Sequence, residues 1–488
     1  MKEYKFLFLV GSQPLYGEDA LHAVNEHARI MTDGFNSAAE IPCTVEVLDC
    51  LTTSQQILTA IDSANSDPMC AGVIAWMHTF SPSKQWIAGL GRLDKPYLHI
   101  NTQFNRDIPW NTIDMDFMNL NQSAHGDREH GYITARMNLK RKVIAGYWQD
   151  GEFLSEIGAW MRAAVGMLES RRLRVLRLGD NMRNVAVTDG DKIEAQIKLG
   201  WQVDYFGLGD VIGEIDSISE AETAEKTAQY TEKYIMDTED IQAVRYQAKV
   251  ELGLERFLRA GGFGAFHTNF EELHGLRQLP GLACQNLMLS GYGFGAEGDW
   301  KVAALTRIIK LMSRGLDGGT SFMEDYTYHF EKGNEMILGA HMLEICPSIA
   351  ADKPKIQVHP LGIGDREPPA RAVFNAKGGK AIVVSLVDMG TRLRMIVNDI
   401  DCVSDRPEMP RLPVASALWK PQPSLRVSAA SWILAGGSHH SVLTYALTAE
   451  HMRNFAEMAG IEFLHINDST TVENFRKELE TNEFVWGV

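Results

Sequence analysis

The segment YKFLFLVGSQPLYGEDALHAVNEHARIM, Tyr4–Met31, carries the reading of the first third of the chain. Tyr4–Val10 is an apolar run broken only by Lys5, of the length expected for a buried strand. Beyond it, Ala20, Leu21, Val24, Ala28 and Met31 recur at helical spacing and mark one apolar helix face. The same alternation continues outward. Cys43–Leu48 reads as a strand, Ile57, Leu58 and Ile61 as the stripe of a second helix, and Ala71–Met77 and Tyr97–Ile100 as further strands. Strands alternating with amphipathic helices predict a parallel sheet covered on both faces. A second region of this kind begins near Leu173, where Arg174–Leu178 precedes the loop Gly179–Arg183. The last third changes character. Lys380–Val387 and Arg392–Val397 are β-rich runs separated by Asp388, Met389 and Gly390, a hairpin signal, and Arg371–Phe374 precedes them across Lys377, Gly378 and Gly379. Consecutive hairpins predict an antiparallel sheet or small barrel. The class is α/β in three parts, set at 1–173, 174–316 and 317–488, without internal repeats.

A chain of 488 residues outgrows one ordinary core, which agrees with several domains. Its 45% apolar and 23% charged content is that of a soluble globular protein and excludes a disordered, collagen-like or disulfide-stapled chain. The net charge of −16, with no long Lys/Arg run, repels phosphate backbones and anionic lipid, which argues against nucleic acid and membrane as partners. The apolar run from Phe6 is closed by Gly11, Gln13 and Glu18, too soon for a signal segment. No stretch approaches the roughly 20 apolar residues of a membrane span. The six cysteines are scattered without a C-x-x-C pair and read as free buried thiols in a reducing cytoplasm, the expected location.

Several polar residues sit in unexpected places. As a strand, Ser321–Glu331 puts Phe322, Glu324, Tyr326, Tyr328 and Phe330 on one face, so that Glu324 is a carboxylate among four aromatics. An isolated charge buried there costs several kcal/mol unless an Arg, a Lys or a bound cation compensates. Glu297 lies in the glycine-rich stretch Gly291–Trp300, before a helix whose buried stripe is Leu305, Ile308, Ile309 and Met312, with Asp299 as N-cap and Gly315 as stop. No clear strand precedes those glycines, which weakens a dinucleotide reading. Glu297 is either a solvated loop acid or one that faces a cation. His341 in Leu338–Pro347 reads equally as a hydrogen-bonded core histidine, and His439 and His440 in AGGSHHS as surface residues or ligands. Carboxylates and histidines together suit Mn²⁺, Co²⁺ or Fe²⁺ better than a closed zinc site. No local spacing links them.

These segments resemble the L-arabinose isomerase family. The resemblance runs through VGSQPLYG (Val10–Gly17), WMHTFSP (Trp76–Pro82), IDMDFMNLNQSAHG (Ile113–Gly126), GDNMRNVAVTDGDK (Gly179–Lys192), HGLRQLPGLA (His274–Ala283), SFMEDYTYHFEKGN (Ser321–Asn334), HMLEICPSIA (His341–Ala350) and AGGSHH (Ala435–His440). It implies two α/β open-sheet domains and a C-terminal antiparallel β-barrel, assembled as a homohexamer of two trimers with pockets shared between subunits. It implies Glu297, Glu324, His341 and His440 as ligands of one divalent ion, Mn²⁺ with Co²⁺ or Fe²⁺ as substitutes, and Glu297 and Glu324 as the proton-transfer pair. The substrate pocket maps onto Gln13, Leu15, Met182, Phe270 and Ile363, and His125 onto a residue that completes a neighbour's pocket. Three departures stand out: Pro14 where the family commonly has His, Ala296 for a frequent Gly, and Ser441 for Thr. Pro14 leaves the balance between L-arabinose and D-galactose open.

The implied reaction is L-arabinose to L-ribulose, and more weakly D-galactose to D-tagatose, through a metal-stabilised enediol, as the first step of L-arabinose catabolism. One carboxylate serves as base and the other as acid, and the cation stabilises developing negative charge. Ligand histidines need partners that fix their tautomers. Competing readings are an isomerase of another aldose such as L-fucose, a non-catalytic sugar-binding protein, and a nicotinamide-dependent oxidoreductase resting only on the Gly291–Gly298 loop.

Overall fold

The computed structural model describes residues 1–363 and 365–486 and divides into two compact units, Met1–Leu168 and Glu169–Val488. In the first unit, β1 (Lys5–Val10), β2 (Thr44–Val47), β3 (Cys70–Trp76), β4 (Tyr97–Asn101) and β5 (Lys142–Ala145) form a parallel sheet in the order β2-β1-β3-β4-β5. The central β3 is buried along its whole length, as a strand covered on both faces must be. The helix Glu18–Ser37 buries Val24, Ala28, Met31 and Phe35, so the apolar stripe read from the sequence runs one turn further than expected. The helix Ser54–Ser66 starts at a capping box in which Thr53 and Gln56 satisfy each other's backbone N–H groups.

The second unit holds β6 (Arg174–Leu178), β7 (Gln202–Phe206), β8 (Ile235–Met236), β9 (Ala265–Thr268) and β10 (Gly293–Gly295). A parallel sheet orders four of them as β10-β9-β6-β7. Then come β11 (Thr320–His329), β12 (Met336–Ala340), β13 (Lys355–Val358), β14 (Ala370–Val373), β15 (Gly379–Asp388), β16 (Leu393–Cys402), β17 (Ser416–Pro421), β18 (His440–Thr444) and β19 (Glu462–Ile466). Antiparallel pairing in the order β15-β18-β11-β12-β17-β16 closes on itself through β15–β16, giving a six-stranded barrel, and β19 adds in parallel to β16. The expected hairpin at Asp388–Gly390 joins β15 to β16. Arg371–Phe374 departs from expectation. It is not a third hairpin strand: β14 pairs with β13, and β13 with β8, in a separate three-stranded sheet. Turn residues mark where a chain reverses, but partner choice is a tertiary matter.

The helix Trp300–Met312 joins these layers. Leu305, Ile308, Ile309 and Met312 are fully buried, and the helix packs against β10 and β9 of the parallel sheet and against β11, β18 and β15 of the barrel. Its N-terminus is thereby held at the mouth of the barrel. The six cysteines are free and buried. Among the described residues, no helix is long and apolar enough to cross a membrane.

Candidate active site

Strand register assembles the centre. In β11 and β18, Glu324 lies directly opposite His440, and on its other side Glu324 pairs with Ala340 of β12, the residue before His341. A register shift follows between Asp325 and Thr327. This bulge ends the alternation expected for Ser321–Glu331. Phe322 is buried, whereas Tyr326, Tyr328 and Phe330 are exposed. Glu324 therefore does not sit among four aromatics; it is flanked by histidines at the point where the strand leaves the core. Phe322 packs edge-on against the rings of both His341 and His440, at 5.2 and 5.1 Å.

Glu297 arrives from the other layer. The helix Gly281–Leu289 precedes the glycine-rich stretch, and the stretch itself supplies the short strand β10, Gly293–Gly295. Glu297 adopts a left-handed conformation (φ 56°), and Gly298 follows at φ 84°. A Cβ on Gly298 would lie 2.4 Å from Asn181 Cα, so glycine alone permits this approach. Asp299 caps the helix Trp300–Met312 as expected, accepting from the backbone N–H of Lys301 and Val302.

The four expected ligands are brought together as two pairs. Glu297 Oε2 lies 3.8 Å from His440 Nε2, and Glu324 Oε2 lies 3.9 Å from His341 Nε2. These separations exceed hydrogen-bond length. His439 is close as well, its Nε2 3.5 Å from Glu297 Oε2. Glu297, His439 and His440 each bring one donor atom within 4.8 Å of the others, a group able to hold a metal ion. Each buried histidine is oriented by an acid: His440 Nδ1 by Asp299 Oδ2 at 3.2 Å, His341 Nδ1 by Glu344 Oε2 at 2.5 Å. His440 Nε2 is buried and has no hydrogen-bond partner among the described residues. A ring nitrogen whose neighbour is engaged and whose lone pair faces carboxylates fits a divalent cation. Asp299 entered the sequence reading only as a cap. Glu344 was missed, although an acid three residues from a histidine in an apolar segment was a usable signal.

The electrostatics divide the acids. The neighbouring His439 holds the Glu297 carboxyl below its usual range, against the effect of burial. Burial pushes Glu324 up, opposed by His341 and His440. Burial opposes ionisation of Asp299, yet Lys301 and His440 keep its carboxyl low. Burial would lower His341, but Glu344 and Glu324 outweigh it and raise it.

A cleft opens beside this centre, lined by Phe270, Leu279, Glu297, His341, Leu361 and Ile363 among others. Phe270 and Ile363 are thus both lining residues of the cleft. Met182 is not a lining residue of that cleft, but its backbone N–H donates to the Glu297 carbonyl at 3.0 Å. Gln13, Leu15 and His125 gather in the first unit. Leu15 is 80% exposed in the short helix Pro14–Tyr16, where Pro14 takes the first helical position. Gln122 links Tyr16 OH (3.2 Å) to His125 Nδ1 (3.2 Å).

Paired carboxylates and oriented histidines beside a cleft are the parts of an enzyme's active site, and the scaffold and donor set fit the aldose–ketose isomerase class. Family models agree with that class: the L-arabinose isomerase N-terminal domain matches residues 1–172, the central domain 174–315 and the C-terminal domain 319–462. The chain is 56% identical over 484 residues to L-arabinose isomerase 1 of Bacillus licheniformis, covering 99% of this chain and 98% of the relative. It is 55% identical to L-arabinose isomerase of Geobacillus kaustophilus, covering 100% and 99%, and 52% identical to that of a Thermotoga species, with the same coverage. The chain belongs to the L-arabinose isomerase family.

Proposed function

We propose that this chain isomerises L-arabinose to L-ribulose, and D-galactose more slowly to D-tagatose, as the first step of L-arabinose catabolism in the cytoplasm. The observation that carries the reading is the pairing of full-length family membership with two acid–histidine pairs beside the cleft. Glu297, Glu324, His341 and His440 hold one divalent ion, Mn²⁺ with Co²⁺ or Fe²⁺ as substitutes. When bound, it acts as a Lewis acid toward the sugar oxygens. The chain's own acids move the protons. One of Glu297 and Glu324 takes the proton from C2 while the other protonates the carbonyl oxygen at C1. The roles then reverse as C1 gains its proton and O2 loses one, the sugar passing through an enediol. Asp299 and Glu344 hold the two histidine rings in place so that each Nε2 stays available. Phe270, Ile363 and Met182 bound the substrate from this unit.

Gln13 and Leu15 belong to the substrate pocket, His125 completes the pocket of a neighbouring copy in a homohexamer of two trimers, and the chain is organised as 1–173, 174–316 and 317–488. The exposure of Leu15 and of His125 supports their meeting another copy.

The test is ketose formation from L-arabinose with and without EDTA, and after Mn²⁺ is restored. EDTA should abolish turnover and Mn²⁺ should return it. A higher specificity constant for L-fucose, or sugar binding without turnover, would overturn the assignment.

A further inference from the structure

Two residues beyond Asp299, the side chain of Lys301 is fully buried. Its ammonium donates to the carbonyl oxygens of Thr188, at 3.0 Å, and of Asp189, and it pairs with Asp299 Oδ1 at 3.4 Å. Two backbone carbonyls thus accept from the ammonium, and Asp299 is its ion-pair partner. The other oxygen of Asp299 holds His440 Nδ1. Thr188 and Asp189 belong to the loop that leaves β6 at Gly179 and carries Met182. Near the start of that loop, Asn181 Nδ2 donates to the carbonyls of both Thr188 and Gly298, while Met182 N–H donates to Glu297. A single buried cation is thus ion-paired on one side with the carboxylate that orients His440, and hydrogen-bonded on the other to the loop that rests against Glu297.

We propose that Lys301 is a positioning residue for the isomerisation: through Asp299 it sets the ring of His440, and through Thr188 and Asp189 it holds the Met182 loop against Glu297. The ligand side and the substrate side of the centre then behave as one piece. This rests on the isomerase reading given above and adds a residue that touches neither substrate nor ion.

Lys301→Met keeps the apolar stem and removes the charge and the donors. In the folded variant, the Mn²⁺ dissociation constant, read from the EPR signal of free Mn²⁺, should rise roughly 10–100-fold, the range for loss of a partner behind a ligand. At saturating Mn²⁺, kcat should return toward the wild-type value while KM for L-arabinose stays raised, because the loop remains loose. A purely structural lysine would lower the urea midpoint without that split. In Lys301→Met/Asp299→Asn, the loss of Mn²⁺ affinity should be smaller than the product of the single losses, since both act through one path. If Lys301→Met does not fold, Asp299→Asn carries the test: freeing one bond of Lys301 should raise KM as well as weaken Mn²⁺. Unchanged Mn²⁺ affinity and KM in folded Lys301→Met, multiplicative losses in the double variant, or an unchanged KM in Asp299→Asn overturns the inference while wild-type turnover leaves the isomerase reading intact. A wild-type protein that neither binds Mn²⁺ nor converts L-arabinose overturns both.

Discussion

At the scale of single residues, the proposed mechanism separates the acids assigned to proton transfer, Glu297 and Glu324, from Asp299 and Glu344, which meet the histidine rings. Glu324→Gln keeps an amide oxygen but cannot accept a proton from carbon. Its kcat should fall by roughly 10²–10⁴-fold, at any Mn²⁺ concentration. Steady-state kinetics across a Mn²⁺ series reads this directly, and near-normal turnover would remove Glu324 from the proton-transfer pair. Glu344→Gln should behave differently. It leaves the chemistry in place but loosens His341, whose Nδ1 it meets at 2.5 Å. Mn²⁺ affinity should drop roughly 10–100-fold and activity should recover when the ion is in excess. If added Mn²⁺ failed to restore Glu344→Gln, its role would lie elsewhere than behind the ligand. Glu324 and His440 were legible as residues out of place, whereas their meeting was not, because no local spacing connects positions 324 and 440.

At the scale of elements, the barrel is fastened by a buried ionic cluster at β19. Glu462 is fully buried and accepts from Arg392 Nε at 2.6 Å, Arg394 Nε at 2.8 Å and Asn482 Nδ2 at 2.8 Å. It ties β16 and β19 to the C-terminal helix Val472–Trp486. Burial alone would raise its pKa, but the two arginines prevail and the folded value lies below the ordinary 4.5. A depressed folded pKa contributes stability that is complete above the unfolded value and is lost as pH falls through the folded one. Glu462→Gln should therefore cost up to roughly 3–5 kcal/mol at pH 7, the range for breaking one partner of a buried pair. The gap to wild type should narrow as pH falls below the ordinary value of 4.5 and through the depressed folded value. Urea midpoints at pH 7 and in acid would show this, and a gap independent of pH would refute the ionic account. The strands themselves were legible from apolar runs and turns. The bulge at Tyr326 was not, nor the pairing of β14 with β13, because alternation along a chain says nothing about which neighbour a strand selects.

At the scale of the whole molecule, the expected pocket residues fall into two sets, one in each compact unit. Gln13, Leu15 and His125 lie in Met1–Leu168, while Met182, Phe270, Ile363 and the four ligand candidates lie in Glu169–Val488. If pockets are shared between copies, activity belongs to the assembly. Sedimentation should find the active species well above the 54.4 kDa of one chain, and a fully active monomer would contradict the shared pocket. His125→Ala should then raise KM for L-arabinose without changing Mn²⁺ affinity, because the proposed assembly gives His125 to the sugar and not to the ligand set Glu297, Glu324, His341 and His440. A parallel loss of Mn²⁺ binding would refute that division of labour.

The sequence by itself determined the alternation of strands and helices, the turn from parallel sheet to antiparallel hairpins, the cap at Asp299 and, through long motif resemblance, the family. Each of these is encoded in neighbouring residues, by period, turn chemistry or contiguous identity. The tertiary structure alone decided that β11 and β18 pair in a register that sets Glu324 opposite His440, and that a left-handed turn at Glu297 meets them from another sheet. It also decided that Asp299 and Glu344 stand behind the two histidines and that Lys301 ties one of them to the Met182 loop. These are relations between residues far apart along the chain, set by packing and hydrogen-bond register once the layers close, so no local pattern carries them.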